Sequence, residues 1–214
     1  MKKCKIPEAT INRLSIYSRF LELEELNGVV TVSSNEIAKK IGITPAQVRR
    51  DLAYFGEFGT RGVGYNVKDL KENIMRILGL HKRWNIALIG AGNLGRALIN
   101  YKGFSERGFD IVAVFDNNPN KIGKIIRDKK ILDIKRDLEK TVKEFNINLA
   151  IVAVTAINAQ EVVDDLVKAG IKGIINFAPI SISVPSDVII RRVDLASQLE
   201  VLTFNIQNKN LYSK

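Results

Sequence analysis

The stretch Trp84 to Asp116 reads WNIALIGAGNLGRALINYKGFSERGFDIVAVFD. It opens on a short apolar run, Ile86-Ala87-Leu88-Ile89, of the kind that forms a strand buried in a parallel sheet. Gly90-x-Gly92-x-x-Gly95 follows, and Arg96-Ala97-Leu98-Ile99 then reads as a helix. A second apolar run, Ile111 to Phe115, ends in Asp116. Strand, glycines, helix, strand and acid in this order are far more specific than the glycines alone. Gly90 permits a tight turn off the strand. Gly92 has no side chain, so a pyrophosphate can approach the backbone, and Gly95 lets the helix sit close to the sheet. The run Gly90, Ala91, Gly92, Asn93, Leu94, Gly95 thereby aims unpaired helix-start N–H groups at phosphate oxygens. Asp116 falls 24 residues after Gly92, where its carboxylate can accept hydrogen bonds from a ribose diol and would repel a 2′-phosphate. The expected ligand is a dinucleotide or a close relative. The alternative is a helix–sheet packing turn that binds nothing.

Towards the C-terminus, strands and helices alternate. Asn117 to Asn120 is a turn, and Lys121 and Lys124 beyond it could reach a ligand phosphate or ribose but read better as solvated lysines. Ile131–Ile134 reads as a strand, and residues 136–145 as an amphipathic helix with Leu138, Val142 and Phe145 inward. Leu149–Val154 is a buried strand ending at Thr155, Asn158–Ala169 a helix, residues 173–177 a strand and residues 188–190 a last strand. Such alternation implies a parallel sheet covered on both faces. Ligands then gather at the C-terminal ends of the strands, where Gly90, Asp116, Thr155 and residues 176–179 fall. Residues 193–207 form a final helix with Leu195, Leu199, Leu202 and Ile206 on one stripe. The stripe either packs on its own sheet or docks on a partner.

Towards the N-terminus, Pro7 suits the first turn of a helix that runs to about Leu26 and stops at Asn27-Gly28. Residues 29–32 form a short β segment. Ser33-x-x-Glu36 is a capping box that opens a short helix closing at Gly42. Thr44-Pro45-Ala46-Gln47 caps the next helix, which carries Val48, Leu52 and Phe55 on its inner side. Ala46, Arg50 and Ala53 then point outward, with Gln47 and Arg49 flanking. Two short helices joined by a Gly-containing turn make a helix-turn-helix. Small residues beside Gln and Arg suit a helix lying in a major groove, where Gln pairs with adenine and Arg with guanine or a phosphate. A solvated basic face would look the same. The Gly-rich segment 57–67 that follows reads as a hairpin, the wing of a winged helix, with Arg61 near its tip and within reach of phosphates or the minor groove. Tyr65 reads as a packed hairpin side chain. A further helix over 67–78 leads to His81, a linker residue, and the domain boundary.

The 214-residue chain suits two small domains. Its net charge of +10 favours a polyanionic partner or anionic ligand. That charge is spread over both halves, so only local placement can locate a nucleic-acid surface. The longest apolar run is too short to span a bilayer, and the N-terminus lacks the apolar stretch of a secretory signal. One cysteine, Cys4, and one histidine rule out an internal disulfide and a His/Cys metal cluster. These features point to a cytoplasmic protein without a metal. There is no catalytic His or Lys constellation and little room for a substrate domain, so no catalytic residues are assigned.

The whole chain resembles the bacterial redox-sensing repressor family Rex. The resemblance is carried by PAQVRRDLAYFGEFGTRGVGYNV at 45–67, GAGNLGRAL at 90–98, FD at 115–116, AGIKGIINFAP at 169–179 and VDL at 193–195. It implies an α/β Rossmann-type domain (81–192) behind an N-terminal winged helix (1–80), with a C-terminal domain-swapped helix and tail (193–214). It further implies a homodimer that binds inverted-repeat operator DNA and is released by NADH, so sensing the NADH/NAD⁺ balance. Position by position, Gly90 to Gly95 would hold the pyrophosphate, Asp116 the adenosine ribose, and Tyr101 would lie near the nicotinamide. Arg19, Tyr101 and Asp194 would form a switchable polar network. From the residues alone, Tyr101 reads instead as a core aromatic, and Arg19 and Asp194 as surface charges.

Overall fold

The computed structural model describes residues 6–60 and 62–208. Cys4 and Arg61 therefore lie outside the described residues. The chain divides into two compact units, Met1–Lys82 and Arg83–Lys214.

In the first unit, α1 (Glu8–Leu26) is followed by β1 (Thr31–Val32), α2 (Ser34–Ile41), α3 (Pro45–Ala53), β2 (Tyr65–Asn66) and α4 (Val67–Ile77). The expected caps are present. Glu36 N–H donates to Ser33 Oγ and Ser33 N–H to Glu36 Oε2, which closes the capping box on α2. Gly42 then takes a left-handed conformation (φ 77°) and ends the helix. Thr44 Oγ1 accepts from Gln47 N–H, with Pro45 in the first turn of α3. Leu14, Tyr17 and Leu21 of α1 meet Ile37, Val48, Leu52, Leu70 and Ile74 in one core. The wing departs from expectation. Thr60 and Gly64 exchange backbone hydrogen bonds across a tight turn, but the returning strand β2 pairs with β1 and not with residues 57–59.

The core of this unit also contains a charge that the sequence pattern did not flag. Asp51 sits on the inner face of α3 with its side chain fully buried. Its carboxylate accepts from Arg13 Nε (2.5 Å) and Nη2 (2.7 Å), Tyr17 Oη (2.7 Å), Thr10 Oγ1 (3.0 Å) and Gln47 Nε2 (2.8 Å). Burial pushes the Asp51 carboxyl up, but the hydrogen bonds from Arg13, Tyr17, Gln47 and Thr10 outweigh it and hold the group below the usual carboxylate range.

In the second unit, β3 (Trp84–Ile89), β4 (Phe109–Asp116), β6 (Lys129–Asp133), β7 (Leu149–Val152), β8 (Gly173–Asn176) and β9 (Ile189–Arg192) are parallel; β5 (Ile125–Ile126) is an antiparallel edge. The spatial order is β5-β6-β4-β3-β7-β8-β9, the doubly wound order with its reversal beside β3. Successive β3 side chains serve opposite layers. Ala87 and Ile89 pack with α7 (Ile134–Glu144) and α8 (Ala156–Lys168), while Ile86 and Leu88 pack with Ile99 of α5 (Asn93–Asn100). A short helix, α6 (Lys102–Glu106), precedes β4 and was not expected. Phe145, expected inward, is 43% exposed because α7 ends one residue before it. The final helix, α9 (Leu195–Gln207), has no buried residue, and Leu195, Leu199, Leu202 and Ile206 remain 55–65% exposed. The stripe does not pack on the chain's own sheet.

Because Asp51 has a depressed pKa in the folded state, its stabilisation is full above its unfolded value, about 3.9, and is lost as pH falls through the lower folded value. Asp51→Asn should therefore cost about 3–5 kcal/mol at neutral pH and flatten the acid dependence of the remaining stability. Urea denaturation followed by helical circular dichroism, repeated from pH 7 down to about 2, measures both.

Candidate functional site

The glycine turn lies at the C-terminal end of β3. Gly90 has φ 102°, and a methyl group there would come 2.4 Å from the Ala153 carbonyl oxygen. Only glycine fits, because both the backbone angle and the space exclude a side chain. A methyl on Gly95 would lie 1.9 Å from the Gly90 carbonyl oxygen. The sequence motif assigns Gly95 to close helix–sheet packing, and the close approach found here is between the first turn of α5 and the glycine loop itself. Gly92 differs from both: nothing lies within 4 Å of the position its side chain would take. It is the N-cap of α5, and the first helical bond runs from Arg96 N–H to the Gly92 carbonyl. The N–H groups of Asn93, Leu94 and Gly95 therefore precede the helical ladder; Asn93 and Leu94 are exposed and Gly95 is buried. An open position at Gly92 beside such donors fits an anionic group such as a pyrophosphate.

Asp116 closes the site from β4. It is 6% exposed. Its Oδ2 accepts from Ala91 N–H (2.8 Å) and Lys121 Nζ (2.9 Å), and its Oδ1 from Asn118 N–H (2.9 Å). Burial raises the carboxyl, but the backbone donors Ala91 and Asn118, together with Lys121, hold it below its ordinary range. Lys121, expected to be solvated, is thus an ion-pair partner inside the site. The pairing was hidden because it depends on how the turn after Asp116 folds back.

Gly90, Gly92, Asp116 and Lys121 line a cleft of about 250 Å³ with Thr155 and Asn158 at the start of α8. Thr155 Oγ1 accepts from Asn158 Nδ2 (3.2 Å). The far wall carries Lys135 of α7, paired with Glu161 Oε1 (2.5 Å) and Asp165 Oδ2 (2.8 Å) of α8. Glu161, Asp165 and Lys135 were not singled out from sequence; their only signal was their place on the facing helices. Tyr101 is not in the cleft. It is 60% exposed, so it is not the core aromatic its type suggested, and it meets Phe104 edge-on with ring centroids 5.1 Å apart. Asp194 caps α9 through Ser197 N–H and pairs with Arg192 (2.5 Å). Arg19 is exposed on α1. Within one chain the described contacts of Asp194 thus run to Arg192 and Ser197, not to Tyr101.

The face of α3 is as expected: Ala46, Arg49, Arg50 and Ala53 are exposed, while Val48 and Leu52 are buried. Two of the expected reading residues make contacts within the unit. Gln47 donates to Asp51, and Arg49 Nη1 donates to Ser34 Oγ (2.9 Å). Arg49, Ser34, Ala53, Thr60 and Gly64 line a groove of about 780 Å³ between α3 and the wing turn. Among the described residues no His/Cys/Asp/Glu group could hold a metal ion, and no helix is long and apolar enough to cross a membrane.

Known proteins match this arrangement over the whole chain. Residues 5–53 match the family model described as a putative DNA-binding protein N-terminus, and residues 81–180 that of a CoA binding domain. The redox-sensing transcriptional repressor Rex of Desulforamulus reducens is 56% identical over 98% of this chain and 99% of its own length. The chain belongs to the Rex family of redox-sensing transcriptional repressors. A crystal structure of RSP in complex with β-NAD⁺ and operator DNA is 41% identical and covers 98% of this chain and 96% of that one, with a TM-score of 0.92. RSP in complex with β-NADH is similar at 40% identity and a TM-score of 0.85, covering 98% of each chain. The matching relative is named as a repressor, and the sheet of the second unit has the doubly wound order, a fold that hosts many functions.

The two glycines give opposite expectations. Gly95→Ala should lower the stability of the second unit by about 3 kcal/mol, because the methyl meets fixed backbone. Gly92→Ala should change stability by no more than about 0.5 kcal/mol, since lost capping preference is offset by a less free unfolded chain. Urea unfolding followed by the fluorescence of Trp84, the sole tryptophan, distinguishes them.

Proposed function

We propose that this chain is a cytoplasmic transcriptional repressor that binds an inverted-repeat operator as a homodimer and leaves it when NADH is bound. The observation that carries the reading is one chain holding both a free helix face, Ala46 and Arg50, and an open glycine-turn cleft closed by Asp116. The Rex-family relative RSP, solved with operator DNA and NAD⁺ and also with NADH, supports it.

On this reading residues 1–80 form the DNA-binding domain, residues 81–192 the NAD(H) domain, and residues 193–214 the dimerisation segment. Ala46 and Arg50 meet base edges in the major groove, with Gln47 and Arg49 beside them and Arg61 on the wing reaching phosphates. Arg49 and Ser34 then form one polar edge of the groove beside α3. The N–H groups from Gly90 to Gly95 hold the pyrophosphate, Asp116 accepts the ribose hydroxyls, and Thr155 lies at the far lip of the cleft. The bare stripe of α9 is covered by a second copy of the chain. In that dimer Arg19, Tyr101 and Asp194 come together as a switch, and Asp194 exchanges its partner Arg192 for Arg19.

The coupling needs differential binding. A dinucleotide that bound both dimer geometries equally would shift nothing. The operator fixes the separation of the two reading helices, so a changed separation breaks register with the groove. The oxidised and reduced ligands differ by one positive charge on the nicotinamide ring, and an apolar pocket beside a cation favours the neutral form.

An operator gel-shift titrated with NADH, NAD⁺ and NADPH in turn tests the function. NADH should release the DNA at concentrations where NAD⁺ does not. Arg50→Ala should weaken operator binding by at least about tenfold while calorimetry still detects NADH binding. Retention of DNA at saturating NADH would refute the sensor, and undiminished affinity in the Arg50 variant would refute the assigned reading face. Adding CoA as competitor in the calorimeter separates a dinucleotide site from a CoA site.

A further inference from the structure

We infer that Lys121 is a latent receptor for a 2′-phosphate, held out of use by Asp116. The inference rests on the cleft taking NAD(H), and it concerns why the cleft would prefer NADH to NADPH. In the usual account the acid at the end of the second strand excludes the phosphate by repulsion alone. Here that acid also holds a cation. Lys121 Nζ lies 2.9 Å from Asp116 Oδ2, with the lysine side chain one-third exposed and the aspartate 6% exposed. The backbone from which the lysine springs is fixed: Lys121 N–H donates to the Asn118 carbonyl, and Asn118 N–H donates to Asp116 Oδ1. The turn therefore keeps the root of the Lys121 side chain close to the carboxylate, and the ion pair holds Nζ on it.

Among the described residues lining the cleft, the cations are Lys121 and Lys135. Lys135 is already shared between Glu161 and Asp165 on the far wall. Lys121 is thus the cation tied to the carboxylate that meets the ribose. A phosphate on the ribose hydroxyl bound by Asp116 would stand within one lysine swing of Nζ, and the flexible stem allows that swing. While Asp116 is charged, it repels the phosphate and occupies the ammonium. Neutralising it removes the repulsion and releases the receptor together. Discrimination is then a property of the pair, and the two residues are energetically coupled.

Binding titrations of the full chain with NADH and NADPH test this by calorimetry. The variants are Asp116→Ala, Asp116→Asn, Lys121→Met and the two double substitutions. The Asn variant keeps the shape of the side chain, because Asp116 also anchors Ala91 N–H and truncation could disturb the turn. Each Asp116 variant should raise the NADPH-to-NADH affinity ratio by about tenfold or more. Adding Lys121→Met should remove most of that gain. Lys121→Met alone should move the ratio towards NADH, since it leaves the carboxylate charge unopposed. Equal ratios in single and double variants, or no gain in either Asp116 variant, would overturn the inference while leaving the cofactor reading intact. A wild-type chain that binds neither dinucleotide would overturn both.

Discussion

The nucleotide cleft depends on one carboxylate. Asp116 reaches from the end of β4 to the Ala91 N–H of the neighbouring glycine turn and to the Asn118 N–H of its own. It thereby fixes two loops at the point where the strand order reverses. A buried carboxylate is costly unless donors surround it. The three donors here, Ala91, Asn118 and Lys121, lower its pKa and favour its charged form, and each lies in a turn beyond the end of a strand. The same bonds stabilise the turn and set the charge the ligand meets.

Asp51 does the equivalent work in the first unit. It accepts from Arg13, Thr10 and Tyr17 of α1 and from Gln47 of its own helix. α3 is therefore tied to α1 by a charge cluster around buried Asp51 as well as by apolar packing. One amide hydrogen of Gln47 is committed inward, leaving Oε1 and the other hydrogen available to a base edge. On the proposed reading, this anchoring would fix the face of α3 relative to the core of its own unit.

The two units solve one problem with different material. On the proposed reading, each would offer polar groups to an anion while keeping its own core closed. The second unit uses backbone donors exposed by the absence of side chains at Gly92, with the helix start as the electrostatic focus. The first uses side chains on an exposed helix face, with capped helix ends behind them. α9 belongs to neither solution: its apolar stripe is exposed in the single chain.

The strand–glycine–helix–strand–acid order, the helix-turn-helix with both its caps, and the outward face of Arg50 were legible in the amino-acid sequence. Each is a local property, set by periodicity, by capping chemistry or by backbone angles that only glycine adopts. The Lys121–Asp116 pair, the Asp51 cluster, the exposure of Tyr101 and the pairing of β2 with β1 were not legible. They join residues whose separation in the chain carries no information about their separation in space, and a charged side chain looks the same in sequence whether it is solvated or buried beside a partner. Local chemistry thus named the elements and the ligand class, and only the packing of those elements decided which charges the ligand meets.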